Sequence, residues 1–219
     1  MKLAIAIDGP AASGKSSTAE EVARRLNFQR MDSGLLYRAV TWMILVKFKS
    51  LPSNLNDEKV KNYVENLKIT QRNTRTFECE EDITDHLRTP EIDSNVGKIA
   101  KEYYIRCKVL EIQRDAIKNE GNGIVIDGRD IGTVVLPDAF LKVFVTATET
   151  TRAKRRSDQT GQAYEEVLHE LRIRDTEDIT REHGPLKIAV DAIVIKNDNM
   201  TKKETVDEIV RLFNEKLNK

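Results

Sequence analysis

The chain has 219 residues, with 36 lysines and arginines against 36 acidic residues. That length supports one domain with a core of its own, with or without insertions. Balanced charge argues against the basic field of a nucleic-acid binder, and no apolar run reaches membrane-span length.

The first apolar run, LAIAI (3–7), reads as a buried strand. It is too short for a signal-peptide core, and Asp8 follows at once. Cys79 and Cys107 lack paired-motif spacing and read as plain thiols of a reducing compartment, so the chain is expected in the cytoplasm. After the strand, Gly9, four further residues and Gly14-Lys15-Ser16 fit the phosphate-binding loop pattern. Such a turn aims backbone N–H groups inward as an anion nest, and the helix that follows adds its positive end. Apolar spacing at Ala19, Val22, Ala23 and Leu26 supplies that helix. Lys15 is then expected at the β- and γ-phosphates of a nucleoside triphosphate, and Ser16 at Mg²⁺.

Residues 31–49 and 92–118 read as helices, the first holding DSGLLYR (32–38). Ser33 is expected to cap that helix, with Tyr37 and Arg38 one turn on, so that a hydroxyl, a phenol and a guanidinium converge on one acceptor. Between the helices, residues 55–90 break the pattern as an insertion, within which NLKITQRNTRTFECEEDITDHL (66–87) alternates like short antiparallel strands. GIVI (123–126), LKVFV (141–145) and AIVI (192–195) are further strands. Short apolar strands alternating with helices predict an α/β fold with a parallel sheet flanked by helices.

IVIDGRD (124–130) places Asp127 at a strand's C-terminal edge, where it could orient the Mg²⁺ shell. Arg129 can bind a phosphate, and Asp130 can accept from an amino group. TRAKRRS (151–157) puts Arg152, Arg155 and Arg156 on one helix face, either solvated or a lid closing on a transferring phosphoryl group. Arg174, Asp178 and Arg181 form another stripe, with Asp178 either an internal ion-pair partner or a ribose ligand. The last helix runs from about Lys203 to Leu217, with Thr201 as its cap. No Asn-Lys-x-Asp tetrapeptide occurs, which argues against a GTP switch, and the neutral charge gives a polynucleotide motor no support. A kinase for a small anionic acceptor fits better.

In sequence order, IDGPAASGKSS, DSGLLYR, DITDHLRTPEI, DGRDIGTVVLPDA, TRAKRR and RDTEDITREHGPL resemble the bacterial-type cytidylate kinases, a branch of the nucleoside monophosphate kinases. The resemblance extends past residue 186. It implies one P-loop kinase domain over 1–219, with a monophosphate-binding region at 33–110 that includes the insertion at 55–90, and an arginine-rich lid at 149–165. It implies transfer of the γ-phosphoryl group of ATP to CMP or dCMP, with Mg²⁺ held by Ser16 and Asp127, the latter through water. Gly9, Pro10, Ala11, Ala12, Ser13, Gly14, Lys15, Ser16 and Ser17 would hold ATP, and residues 197–201 adenine. Lys15, Arg129, Arg152, Arg155 and Arg156 would be catalytic. Ser33, Tyr37, Arg38, Arg88, Arg106, Arg129, Asp130, Arg174, Asp178 and Arg181 would bind CMP. The chain is expected to be a monomer without nucleic-acid or membrane partners. Two positions depart from the family pattern. Gly97 stands where the family carries a base-reading serine, and Glu177 where it often has an arginine. The alternatives are a broader UMP/CMP kinase and a nucleotide-binding regulator without turnover.

Overall fold

The apolar run at the start of the chain forms β1 (Ala4–Asp8), all of it buried. Its residues alternate, so Ile5 and Ile7 face one side of a sheet and Ala4, Ala6 and Asp8 the other. In chain order there follow α1 (Lys15–Leu26), β2 (Gln29–Asp32), α2 (Ser33–Phe48), α3 (Glu58–Glu65), β3 (Ile69–Arg72), β4 (Arg75–Glu78) and β5 (Glu81–Asp82). Then come α4 (Pro90–Ile99), α5 (Tyr103–Asn119), β6 (Ile124–Gly128), β7 (Leu141–Thr146), α6 (Glu149–Thr160), α7 (Tyr164–Thr180), β8 (Ile193–Lys196) and α8 (Lys202–Leu217). The computed structural model describes residues 3–72, 75–119 and 121–218. Two compact units result: Met1–Arg30 with Gly121–Lys219, and Met31–Glu120.

In the first unit the strand order is β2-β6-β1-β7-β8, and β1 runs parallel to both β6 and β7, as does β7 to β8. The unit boundary falls inside β2. On one face, Ile5, Ile7, Val125, Val143 and Val145 pack against Val22 of α1 and Val206, Ile209 and Phe213 of α8. Phe213 meets Phe28 and Phe140 edge-on, with ring centroids 5.5 and 5.3 Å apart. The α8 start has a full capping box between Thr201 and Glu204, as Thr201 predicts.

The second unit holds α2 to α5 and an antiparallel sheet, β3-β4-β5, at the expected insertion. Asn73 and Thr74, within that stretch, lie outside the described residues. Two readings are corrected. The stretch 92–118 is two helices, because the N–H groups of Lys101 and Glu102 turn back to the carbonyls of Lys98 and Ile99 and close the first one. The cap of α2 is Asp32, whose carboxylate accepts from Leu35 N at 3.1 Å; Ser33 is the first helical residue. Gln71 fixes Asp32 from outside, accepting from its N–H at 2.9 Å and donating to its carbonyl at 3.0 Å.

Asp8 ends the central strand as a buried carboxylate. It accepts from Ile131 N at 2.8 Å and Gly132 N at 2.7 Å, and so pins a wide helical turn, Ile131–Val135, behind β6. Burial pushes its carboxyl up to about 6; the two backbone bonds oppose that rise, and the Asp130 charge adds to it. A raised acid stabilises the fold below its unfolded value and loses that contribution as pH climbs through the folded one. Wild type should therefore lose on the order of 3 kcal/mol relative to Asp8→Asn between about pH 4 and 6.5, with little further change above. Urea unfolding of both proteins across that range checks the sign; a constant difference would show that Asp8 titrates normally.

Candidate active site

The turn after β1 has no room for side chains at its first position. Gly9 has φ +156°, and a Cβ there would lie 2.1 Å from the Val145 carbonyl oxygen. Ala12 and Gly14 are left-handed, at φ 56° and 83°. Gly14 caps α1 without a side-chain bond, so the N–H groups of the first turn receive no side-chain cap. Ser13 is buried, and its hydroxyl has no hydrogen-bond partner among the described residues. Lys15 folds back over the turn and donates to the Pro10 carbonyl at 2.9 Å. Burial drives its ammonium down to about 7, helped by the nearby charges of Arg129 and Arg174 and opposed by Asp127 and Asp178.

The loop is braced from behind. Arg152, expected on an open face, is buried: it donates to Ala11 O at 3.0 Å and Ala147 O at 3.1 Å, and pairs with Asp175 at 2.7 Å. Asp175 also accepts from Ala11 N at 3.4 Å. Asn197 donates to Ser13 O at 3.0 Å, while Arg155 donates to the Asn197 side chain at 3.0 Å and to its carbonyl at 2.7 Å. Arg156 is exposed. Packing of Ala153 in α6 against Val167, Leu168 and Leu171 in α7 sets this helix pair beside Ala11.

Ser16 donates to Asp127 Oδ2 at 2.5 Å, and Arg30 holds Oδ1 at 3.1 Å. The Ser16 hydroxyl, one residue beyond the loop lysine, and the Asp127 carboxylate it meets are hard oxygen donors that suit Mg²⁺. Among the described residues there is no cluster of three or more acidic, His or Cys side chains able to hold a metal. A cation here would therefore draw its other ligands from phosphates and water.

Downstream of β6 the charges interlock. Arg129 donates to Asp178 at 2.6 Å; Arg181 lies 3.5 Å from both Asp178 and Asp130 and donates to Gly184 O at 2.6 Å. Burial raises the Asp178 carboxyl, but Arg129, Arg181 and Arg174 overcome it and hold the group below its usual value. Asp178 is thus an ion-pair partner in this structure. The second unit carries its own set. Arg38 donates to Leu87 O at 3.0 Å and pairs with Asp93; Arg88 lies 3.9 Å from Asp32. Arg106 covers the Tyr37 ring at 5.6 Å and donates to Ala100 O at 3.3 Å. Ser33 accepts from Gln113 at 2.9 Å. Gly97 sits inside α4 without a positive φ.

Sequence reading missed Asp8, Arg30, Asp175 and Gln113, and placed Asn197 at adenine without its part in bracing the loop. Asp8 precedes the loop glycine and could have been weighed with it. The other four meet their partners only through folding, and no spacing announces them.

A family model described as cytidylate kinase matches residues 5–215. The chain is 42% identical over 215 residues to a probable cytidylate kinase of Vairimorpha ceranae, covering 98% of each. It is 38% identical over 223 residues to the cytidylate kinase of Thermotoga maritima, covering 100% of both. Among solved structures, TT1252 from Thermus thermophilus shares the fold, with a TM-score of 0.54 at 15% identity over 99% of this chain and 98% of that one.

A lysine ammonium lowered to about 7 is half neutral at neutral pH, and polyphosphate oxygens would restore its charge. Binding of ATP at pH 8 should therefore take up a proton, approaching one per site, and affinity should fall up to about tenfold per pH unit above 7. Titration calorimetry in buffers of different ionisation enthalpy measures the uptake. Lys15→Met should abolish it; uptake that survives that change would assign the proton to another group.

Proposed function

The chain belongs to the cytidylate kinase family, and from that premise we propose that it transfers the γ-phosphoryl group of ATP to CMP or dCMP, giving CDP or dCDP and ADP. The observation that carries this reading is a buried Lys15 at a glycine turn, with Arg129 and Arg174 close enough to depress its charge. Such a crowd of cations is costly alone and favourable around a polyphosphate.

Residues 9–17 cradle the ATP phosphates, and Lys15 follows the charge that grows on the β- and γ-oxygens. Mg²⁺, when bound, would neutralise polyphosphate charge; Ser16 and Asp127 would hold it, Asp127 through water. Arg129, Arg155 and Arg156 provide the cationic groups of the transfer, and Arg152 acts by holding Ala11 and with it the loop. The region 33–110, with its insertion at 55–90, takes the monophosphate through Ser33, Tyr37, Arg38, Arg88 and Arg106, together with Arg129, Asp130, Arg174, Asp178 and Arg181. Residues 149–165 serve as the lid. The enzyme is taken to be a cytoplasmic monomer. No helix among the described residues is long and apolar enough to cross a membrane.

Asp130 reads the base. Its carboxylate accepts from the N4 amino group of cytosine and opposes the O4 of uracil, and Arg181 pairs with it at 3.5 Å. Gly97 removes one polar reader. Discrimination of CMP over UMP should thus be on the order of 10²-fold in kcat/KM, below the ~10⁴-fold a fully polar site can reach. Gly97→Ser should raise it, and the helical backbone there accepts the side chain; the helix should gain roughly 0.5 kcal/mol. Steady-state rates with CMP, dCMP, UMP and AMP at one ATP concentration decide. UMP matching CMP would remove Asp130 from base reading and favour the broader pyrimidine kinase.

Lys15→Ala should lower kcat by about 10²-fold or more without destabilising the fold, because the ammonium it removes is buried at a cost. A folded variant with near-normal turnover would contradict the phosphate-loop role.

A further inference from the structure

Ser33 has an unusual freedom for a residue at a helix start. Asp32 already caps α2, so the Ser33 hydroxyl is not needed by the backbone. It is buried nonetheless, and it meets Gln113, itself 2% exposed, from the third turn of α5. The Gln113 amide nitrogen donates to Ser33 Oγ at 2.9 Å. An amide N–H₂ can only donate, so this bond uses the hydroxyl oxygen as acceptor and leaves the hydroxyl proton to be given elsewhere. Among the described residues no acceptor takes that proton. The same unit supplies other donor-only groups, Arg38 and Arg106, the latter lying over the Tyr37 ring one turn along α2 from Ser33.

We infer that Gln113 is a positioning residue for the acceptor nucleotide, which fixes Ser33 as an obligate hydrogen-bond donor to its phosphate. A phosphate oxygen carries lone pairs and no proton to give, so a hydroxyl of fixed donor polarity suits it and a freely rotating one suits it less. This rests on the reading of Ser33 as an acceptor-site residue. Gln113 touches no substrate and acts through Ser33 alone.

A double-mutant cycle tests the coupling. Gln113→Met keeps the length and removes the donor; KM for CMP should rise ~5-fold, with KM for ATP unchanged. Gln113→Glu offers an acceptor instead, so it should take the Ser33 proton and turn lone pairs toward the phosphate. Its KM for CMP should rise further, by ~10-fold or more over Gln113→Met. In a Ser33→Ala background, Gln113→Met should have no additional effect. Additive losses in the double mutant would show that Gln113 acts through packing and would overturn the inference, as would an unchanged KM in Gln113→Met. Gln113→Asn keeps the amide but shortens its reach, and it carries the same cycle if the methionine variant does not fold. Failure of the wild-type enzyme to phosphorylate CMP would instead remove the cytidylate kinase reading itself.

Discussion

A lysine ammonium buried at the start of α1 and folded back over the glycine turn is the constraint around which the first unit is organised. Lys15 has one carbonyl partner in the loop and two arginines for neighbours, so its charge is poorly compensated within the protein. The carboxylates of Asp127 and Asp178 offset part of that cost. Each is in turn held by an arginine, Arg30 in one case and Arg129 in the other. Charge alternates outward from Lys15 in this way until solvent takes over. The net result is a site that is stable without ligand yet gains most from a partner rich in negative oxygen.

That arrangement needs a rigid floor, and the sheet supplies it. Gly9 leaves β1 so close to the Val145 carbonyl that the loop cannot shift toward β7. Asp8, one residue earlier, ties the same strand end to the turn that follows Asp130. One dipeptide therefore registers the phosphate loop on one side and the Arg129–Asp130 segment on the other. Arg152 and Asn197 complete the bracing by taking the outward-facing carbonyls of Ala11 and Ser13. Backbone groups that a phosphate does not need are thereby satisfied from within the protein.

The central strands, the phosphate loop and the α8 cap were legible because each rests on local chemistry: an apolar run, a glycine spacing, a Thr-x-x-Glu box. β2 was not, because QRMD contains one apolar residue and is a strand only by lying beside β6. The break between α4 and α5 was also hidden; IAKEYY reads as continuous helix, and only the tightened turns at Lys101 and Glu102 end it. Asp32 and Ser33 are both good caps by residue type. Gln71, 39 positions away, fixes the Asp32 backbone and so favours the aspartate. Arg152 illustrates the general difficulty: three arginines shared a face on paper, but Asp175 and two carbonyls draw one of them inside.

The first unit is discontinuous in the chain, and this bears on how the protein is made. Ile5 must pair with Val125 and Leu141, whereas every element of the second unit lies within one continuous stretch. As a ribosome releases the chain, β1 emerges well before its partners and waits until β6 and β7 have followed. Closing so long a loop is entropically slow, while the intervening stretch can form its shorter-range contacts at once. A strand buried along its whole length in the finished fold is therefore left without partners longest during synthesis, a period in which chaperone capture or aggregation competes with folding.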